Sequence, residues 1–311
     1  MVFYSPDPSM GQHLEDLVRA LEQDGRPGLA EQLSITWLRY PHGSSLIGRG
    51  ADLAAAVFWG KSPRGASWNG SRCRYPASVV KLVYLVAAEA WLQADLLPAS
   101  DDLTAALADM IQNSSNDATG LVVDLLSGTT SGPRLPPEAM ALWHGQRQLV
   151  NQWLRELGWH ELEDWNACQK TWGDGPQGRE RESYGSRGEN RNRLSSDGVA
   201  RLLHAVMASA IVSPPACQRM RALLARSLDA AERAADRENQ VDGFLGEALP
   251  DGARLWSKAG WMSQARHDAA YVEIPRAEGV QPQLLVVFSE GERCAGDERL
   301  LPELGRRLLQ A

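Results

Sequence analysis

Residues 75–94 read YPASVVKLVYLVAAEAWLQA, and the rest of the chain is best interpreted outward from this stretch. From Ala77 to Ala94 the residues are apolar on nearly every side of a helix, and a helix of that kind is buried. Ser78 and Lys81 stand three positions apart. A helix that begins near Pro76 therefore places the serine hydroxyl and the lysine amine on one face.

The pair of Ser78 and Lys81 is suited to nucleophilic chemistry. A lysine in apolar surroundings can lose its proton near neutral pH and accept the proton of a neighbouring serine. A helix N-terminus also brings the serine's own amide close to an oxyanion that develops on the substrate. The structural alternative is a serine that caps the helix and a lysine whose amine reaches the solvent.

Lysine is rare in this chain, because only four of the 32 Lys and Arg residues are lysines, at positions 61, 81, 170 and 258. Arginine thus serves wherever a generic positive charge is sufficient. A buried lysine can lose its proton, whereas an arginine cannot. A lysine kept against this bias can serve a chemical role, although Lys61 and Lys170 are more simply interpreted as drift.

A second polar motif, Ser114-Ser115-Asn116, lies at a joint between two predicted helices. In a functional interpretation the Ser114 hydroxyl relays a proton to the leaving group. The Asn116 amide then holds the substrate amide and Lys81. The structural alternative is a cluster of N-capping residues for the helix that follows.

A third motif, Lys258-Ala259-Gly260, ends a predicted strand. A positive charge at a strand edge, followed by a glycine that lets a backbone approach closely, suits a substrate-binding edge. The structural alternative is an ordinary turn at the end of the strand.

The overall composition is that of a globular protein, with 311 residues, 43% hydrophobic and 23% charged. The net charge of −7 argues against a nucleic-acid partner. The spacing of the four cysteines shows no zinc-ligand or redox pair, so we expect mostly buried thiols and predict neither a metal nor a cofactor. No signal peptide and no membrane span are recognised. We therefore expect a cytoplasmic protein, or a periplasmic or extracellular one if a leader has been removed.

The order of predicted elements indicates an α/β (α+β) fold, with strands near both ends and helices between them. Residues 1–75 and 215–311 would together form the sheet-containing lobe, and residues 76–214 an inserted helical lobe. The predicted helices are 13–23, 77–94, 103–111, 117–126, 140–157, 196–208, 214–226 and 298–309, and the predicted strands are 34–40, 254–257, 269–274 and 284–289. Residues 165–192 form a long polar stretch, which is typical of a functional loop or a lid.

The three motifs resemble, in order, context and spacing, the S-x-x-K, S-x-N and K-T-G signatures of class A β-lactamases and serine DD-peptidases. The resemblance extends from about Leu53 to the C-terminus. It implies an antiparallel sheet flanked by helices beside an all-helical lobe, with the active site in the crevice between them. It also implies that Ser78 forms an acyl-enzyme and that the amides of Ser78 and Trp261 form the oxyanion hole.

The chain departs from this family pattern at two places. Ala259 stands where the family has Thr or Ser, so a hydroxyl for the substrate carboxylate is missing, and Arg266 could supply a charge instead. The bulky Trp261 would narrow the cleft. The E-x-x-L-N motif, which carries the deacylating glutamate of class A enzymes, is also missing from residues 165–170. Three later glutamates could replace it, and their structural alternative is solvated loop charge: Glu180, Glu182 and Glu189.

The leading hypothesis is therefore a β-lactamase-like serine hydrolase, specifically a weak β-lactamase, whose substrate is a small molecule or a peptide. A DD-peptidase or an esterase with the same acyl-enzyme chemistry is the alternative within enzymes. A catalytically silent penicillin-binding-like module that recognises a peptide is the alternative outside them, and the presence of both Ser78 and Lys81 counts against it.

Overall fold

The computed structural model describes residues 2–43 and 45–310 and divides into two compact units. The first unit combines Met1–Val79 with Ser195–Ala311, and the second is Val80–Leu194.

Up to Val79 the elements are β1 (Ser5–Pro6), α1 (Pro8–Gln23), α2 (Leu29–Gln32), β2 (Leu33–Arg39), α3 (Ala55–Trp59), β3 (Arg64–Trp68) and a 3-10 turn (Ala77–Val79). The second unit contains α4 (Val80–Gln93), α5 (Asp101–Gln112), α6 (Asn116–Ser127), α7 (Pro137–Arg147), α8 (Leu149–Glu156), a 3-10 turn (His160–Leu162) and α9 (Gly178–Tyr184). The first unit resumes with α10 (Ser196–Ala208), α11 (Pro214–Leu224), β4 (Ala225–Arg226), α12 (Ala230–Ala235), a 3-10 turn (Leu245–Ala248), β5 (Arg254–Met262), β6 (Ala265–Arg276), β7 (Gly279–Glu290), α13 (Glu292–Gly296) and α14 (Leu300–Leu309).

The first unit is built on a sheet that has seven strands within the described residues, in the order β1-β3-β2-β7-β6-β5-β4. Strands from the two ends of the chain meet in its middle, where β2 pairs antiparallel with β7 and Leu33 lies opposite Ser289. The core side chains on one face of the sheet pack with apolar residues of α1 and α14. The mixed architecture confirms the predicted α/β (α+β) class.

The outer edge of β5 is covered by a strand only near its start. The short strand β4 pairs with Leu255 and Trp256, and no strand among the described residues pairs with this edge beyond them. Backbone amides alternate between the two edges of a strand. The Ala259 amide donates to Gln240 Oε1 (3.2 Å) on the outer edge. The Trp261 amide, two residues on, therefore points toward the same edge.

In the second unit, α4 is buried on nearly all of its faces, as its sequence predicts. The helices α5 and α6 begin at capping serines. Ser100 accepts a hydrogen bond from the Leu103 amide, and Ser115 accepts one from the Ala118 amide. The capping residue of α6 is thus Ser115 and not Ser114.

Several predicted boundaries differ from the observed ones. The predicted helix 140–157 is two helices in the structure, since α7 ends at Arg147 and α8 begins at Leu149, with Gln148 between them. Helix α1 begins at Pro8 rather than at residue 13, because Asp7 caps it by accepting from the Ser9 and Met10 amides. The strands β5, β6 and β7 extend well beyond the predicted segments. The second unit ends at Leu194 rather than at residue 214, and α10 belongs with the sheet, where Thr36 of β2 hydrogen-bonds to Ser196 (2.8 Å) and Asp197 (2.7 Å).

The four cysteines are thiols in the structure, and Cys168, Cys217 and Cys294 are buried. Within residues 2–43 and 45–310, no helix is long and apolar enough to cross a membrane. Over the same residues, no group of three or more His, Cys, Asp or Glu side chains is arranged to hold a metal ion.

Candidate active site

Ser78 lies in the 3-10 turn Ala77–Val79, which leads directly into α4, and its side chain is half-buried. Ala77 has φ +45°, in the left-handed region that residues with a Cβ rarely adopt. Such conformations cluster at functional sites. The backbone is thus held in an uncommon conformation at the residue that precedes the candidate nucleophile.

Gly260 of β5 lies directly against this turn. A Cβ built at Gly260 would stand 2.8 Å from the Ser78 amide nitrogen and 3.0 Å from the Pro76 carbonyl oxygen. Both are backbone atoms, so any side chain at this position would push the strand away from the turn. The glycine therefore lets the Ser78 amide lie directly against β5, one residue before Trp261.

Lys258 is buried next to this edge. Its ammonium group donates to Gln240 Oε1 and to the Ala259 carbonyl oxygen (2.8 Å). The ordinary-turn alternative for Lys258-Ala259-Gly260 does not describe this segment, because all three residues lie inside β5.

Arg266 of β6 lies directly opposite Trp261 of β5. Ala259 is two residues before Trp261 in β5, so the side chains of Arg266, Trp261 and Ala259 lie on the same face of the sheet. The Arg266 side chain is buried, and it donates to the carbonyl oxygens of Ala295 (3.1 Å) and Gly243 (3.3 Å). The guanidinium carbon of Arg266 lies 5.6 Å from the centroid of the Trp261 ring. The Trp261 indole N–H donates to the Ala295 carbonyl oxygen (3.1 Å). The guanidinium is therefore fixed on the face where the Ala259 hydroxyl is missing.

The second unit holds the other predicted residues, and it brings three of them together. The Lys81 side chain is 0% exposed, so its amine does not reach solvent. Its ammonium donates to the Ser114 carbonyl oxygen, to Ser114 Oγ (3.3 Å) and to Asn116 Oδ1 (3.0 Å). Ser114 itself has φ +54°, which turns its carbonyl toward the lysine between α5 and α6.

Thr171 is a member of this cluster that the sequence did not indicate. Its hydroxyl donates to Asn116 Oδ1 (2.7 Å), the same oxygen that accepts from Lys81. It directly follows residues 165–170, where the E-x-x-L-N motif was sought. No spacing rule connects Thr171 to Asn116, since their contact depends on how the polar stretch folds against α6.

Glu180 is 0% exposed, so the alternative of a solvated loop charge is wrong for this residue. Its Oε1 accepts from Arg147 (2.5 Å) and from Ser131 (2.7 Å). Lys170 lies 3.8 Å away and is itself paired with Asp124 (2.6 Å). The buried Arg147 thus holds this carboxylate in place, with the partly buried Lys170 close by.

Glu182 and Glu189 are exposed. Hydrogen bonds from the backbone amides of Glu189 itself and of Arg187 lower the pKa of Glu189, so this carboxylate is ionised at neutral pH. As with Glu180, a role in deacylation stays a prediction for both residues.

A family model described as the beta-lactamase enzyme family matches residues 92–311, which is more than half of the chain. The chain belongs to the beta-lactamase enzyme family. The matched range begins after Ser78 and Lys81, so the roles of these two residues depend on their own geometry and not on the match.

Solved structures of a beta-lactamase and of PBP-A share this fold. A beta-lactamase from Sphaerobacter thermophilus DSM 20745 superposes with a TM-score of 0.63 at 20% identity, over 96% of this chain and 96% of that chain. The structure of PBP-A superposes with a TM-score of 0.62 at 16% identity, over 99% and 97%. A PBP-A variant described as an acyl-enzyme complex with penicillin G superposes with a TM-score of 0.64 at 16% identity, over 98% and 97%. No curated protein matches the chain.

Two buried ionisable groups of β6 lie beside the motif strand of this beta-lactamase family member. Asp268 stands opposite Ala259 in the register, and burial raises its pKa to about 7, although the hydrogen bond from the Leu245 amide opposes this shift. Burial lowers the pKa of His267 to about 4. The neutral imidazole accepts from the Ser289 amide (3.0 Å) and donates to the Tyr75 carbonyl oxygen (2.8 Å). His267 thereby ties the segment before Ser78 to the sheet.

The raised pKa of Asp268 predicts a pH-dependent stability. Below pH 4 the carboxyl is protonated in both the folded and the unfolded chain. Between pH 4 and pH 7 the unfolded chain loses this proton while the folded chain still keeps it, so the free energy of unfolding of the wild type falls as pH rises. Asp268→Asn should therefore gain unfolding free energy relative to the wild type between about pH 4 and pH 7, by roughly 2–4 kcal/mol.

Urea unfolding at several pH values between 4 and 8 measures this difference. Asp251→Asn, in an exposed turn, is the matched control and should keep a constant offset from the wild type. Parallel profiles for the wild type and Asp268→Asn would contradict the prediction.

Proposed function

We propose that the protein is a serine acyl-hydrolase that forms an acyl-enzyme on Ser78 and accepts small-molecule or peptide substrates. The observation that carries the proposal is the fully buried side-chain nitrogen of Lys81, held by Ser114 and Asn116. Lys81 follows Ser78 by three residues on one continuous helical segment. A buried lysine in this position can exchange protons with the serine, which a surface lysine would not need to do.

In the acylation step, Lys81 must be in its neutral amine form. Ser78 Oγ bonds to the substrate carbonyl carbon, and the Ser78 hydroxyl proton passes to this amine, which becomes an ammonium. The amides of Ser78 and Trp261 stabilise the resulting oxyanion: the Ser78 amide lies against Gly260, and the amide of the next residue, Trp261, points outward from β5. The bond to the leaving group then breaks, and the leaving group receives the proton from Lys81 through the Ser114 hydroxyl. The distance of 3.3 Å between Lys81 Nζ and Ser114 Oγ supports this relay.

In the deacylation step, water adds to the acyl carbon, the carboxylic acid leaves and Ser78 regains its proton. A positioned base is worth about 10²–10⁴-fold in rate. The sequence has no E-x-x-L-N motif, and Glu180 is bound to Arg147 and Ser131. We therefore propose that the acyl-enzyme is long-lived and that the protein is a weak β-lactamase. A DD-peptidase or an esterase remains the alternative. Such an enzyme would differ from a β-lactamase in its substrate and not in its acyl-enzyme chemistry.

Intact-protein mass spectrometry with penicillin G over time tests this proposal. A penicilloyl adduct that persists for minutes is expected, and rapid turnover would mean that a deacylating base is present. Absence of any adduct, with esters as well as with penicillin, would favour a catalytically silent recognition module instead.

A comparison of two chromogenic substrates gives a second prediction. Ala259 removes a hydrogen bond to a carboxylate that is worth about 1.5–3 kcal/mol, or roughly 10- to 150-fold in binding. A nitrophenyl ester without a carboxylate escapes this loss, so it should turn over faster than a chromogenic cephalosporin, which should show a burst. Steady turnover of the cephalosporin at roughly tens per second, a typical enzyme rate, would contradict the prediction.

A further inference from the structure

Gln240 occupies the outer edge of β5 at the position of the K-T-G-like motif. It lies in the segment between α12 and the 3-10 turn Leu245–Ala248, and it is 6% exposed. Its Oε1 accepts from the Lys258 ammonium and from the Ala259 amide (3.2 Å). Both partners are donors, so the hydrogen-bond network fixes which end of the Gln240 side-chain amide is the oxygen.

This oxygen stands where the carboxylate of a substrate would bind. The Ala259 and Trp261 amides point from the same strand edge and are two residues apart, which is about 7 Å along a strand. A substrate whose reacting carbonyl lies at the Trp261 amide would carry a neighbouring acceptor group toward the Ala259 amide and Lys258. The Gln240 carbonyl already satisfies both of these donors.

The segment around Gln240 is held from both sides, so displacing its side chain requires rearrangement of an ordered turn. Asn239 Oδ1 accepts from the Val241 amide (2.8 Å) and the Asp242 amide (3.2 Å). Asn239 Nδ2 donates to Asp242 Oδ2 (2.6 Å). A group that is preorganised in this way competes with an incoming ligand at little entropic cost.

We propose that Gln240 is a specificity-determining residue that fills the carboxylate subsite and selects acyl substrates with a neutral group at that position. The inference depends on the proposed function, because it concerns the same edge and the same acyl-enzyme. Gln240 also gives Lys258 a hydrogen-bond partner inside the protein. This partner explains why a buried ammonium is tolerated next to Ala259, which has no hydroxyl.

The test compares penicillin G with its methyl ester, since the two compounds have the same reactive amide and differ in one carboxylate. The second-order rate of Ser78 acylation is measured by intact mass for each compound, and the ratio of the two rates is the readout. The wild type should favour the ester. Gln240→Ala should shift the ratio toward the free acid by at least about tenfold, because Lys258 and the Ala259 amide become available.

Gln240→Glu provides the opposite change, since a carboxylate on Lys258 repels the free acid and should shift the ratio further toward the ester. Gln12→Ala, an exposed change on α1, is the control and should leave the ratio unchanged. A ratio that is the same in the wild type and both Gln240 variants overturns the inference while the Ser78 assignment stands. Absence of labelling by either compound overturns the proposed function and this inference with it.

Discussion

Replacing Ser78 by alanine should abolish covalent labelling by penicillin G and by activated esters while the protein stays folded. Only the hydroxyl is removed, and the backbone amide next to Gly260 is kept. Loss of the nucleophile costs on the order of 10⁶ in rate in a well-studied serine protease, subtilisin. The expected result is therefore no adduct by intact mass over hours.

Ser100→Ala is a matched serine control, because its hydroxyl caps α5 and takes no part in the proposed chemistry. It should lower the free energy of unfolding by about 1 kcal/mol and leave the labelling rate unchanged. Labelling of Ser78→Ala at the wild-type rate, followed by peptide mapping to another residue, would refute Ser78 as the nucleophile.

Lys81→Arg should lose acylation nearly as fully as Lys81→Ala, by about 10²–10⁴-fold. Arginine keeps the positive charge but cannot accept the Ser78 proton. The fully buried position is also shaped for an ammonium on Ser114 and Asn116, and a guanidinium is larger. The measurement is the second-order rate of Ser78 labelling in each variant.

The exposed Lys61 offers the matched control, and Lys61→Arg should label as the wild type does. If Lys81→Arg fails to fold, Lys81→Met tests the same point, since it retains most of the volume without a proton-accepting nitrogen. An Lys81→Arg protein that acylates at the wild-type rate would show that charge alone is sufficient.

The parts of the candidate site that could be predicted from the sequence depend on local spacing. Ser78 and Lys81 follow from one helical turn, and Ser114 and Asn116 follow from a joint between two helices. Gln240 and Thr171 could not be predicted, because each reaches its partner through tertiary packing of an irregular segment. Glu180 was missed as a buried charge for the same reason, since its partner Arg147 is distant in sequence.

The strands were predicted too short for a related reason. After its first residue, β6 continues with Arg266, His267 and Asp268, and such polar residues conceal a strand from a prediction based on apolar alternation. In the structure all three are buried, with hydrogen bonds that the sequence does not reveal. The division of residues 140–157 into two helices was equally hidden, because the apolar period continues across the break.

The pairing of β2 with β7 has a consequence for biosynthesis. Leu33–Arg39 must wait for Gln283–Ser289 before the centre of the sheet can close, so nearly the whole chain has to leave the ribosome first. Val80–Leu194 is continuous in sequence, and nothing in its connectivity imposes the same delay. During synthesis, at roughly 5–20 residues per second, the apolar strand β2 can pair with β3 but lacks β7 for many seconds. A chaperone that covers exposed apolar segments would act mainly during this interval.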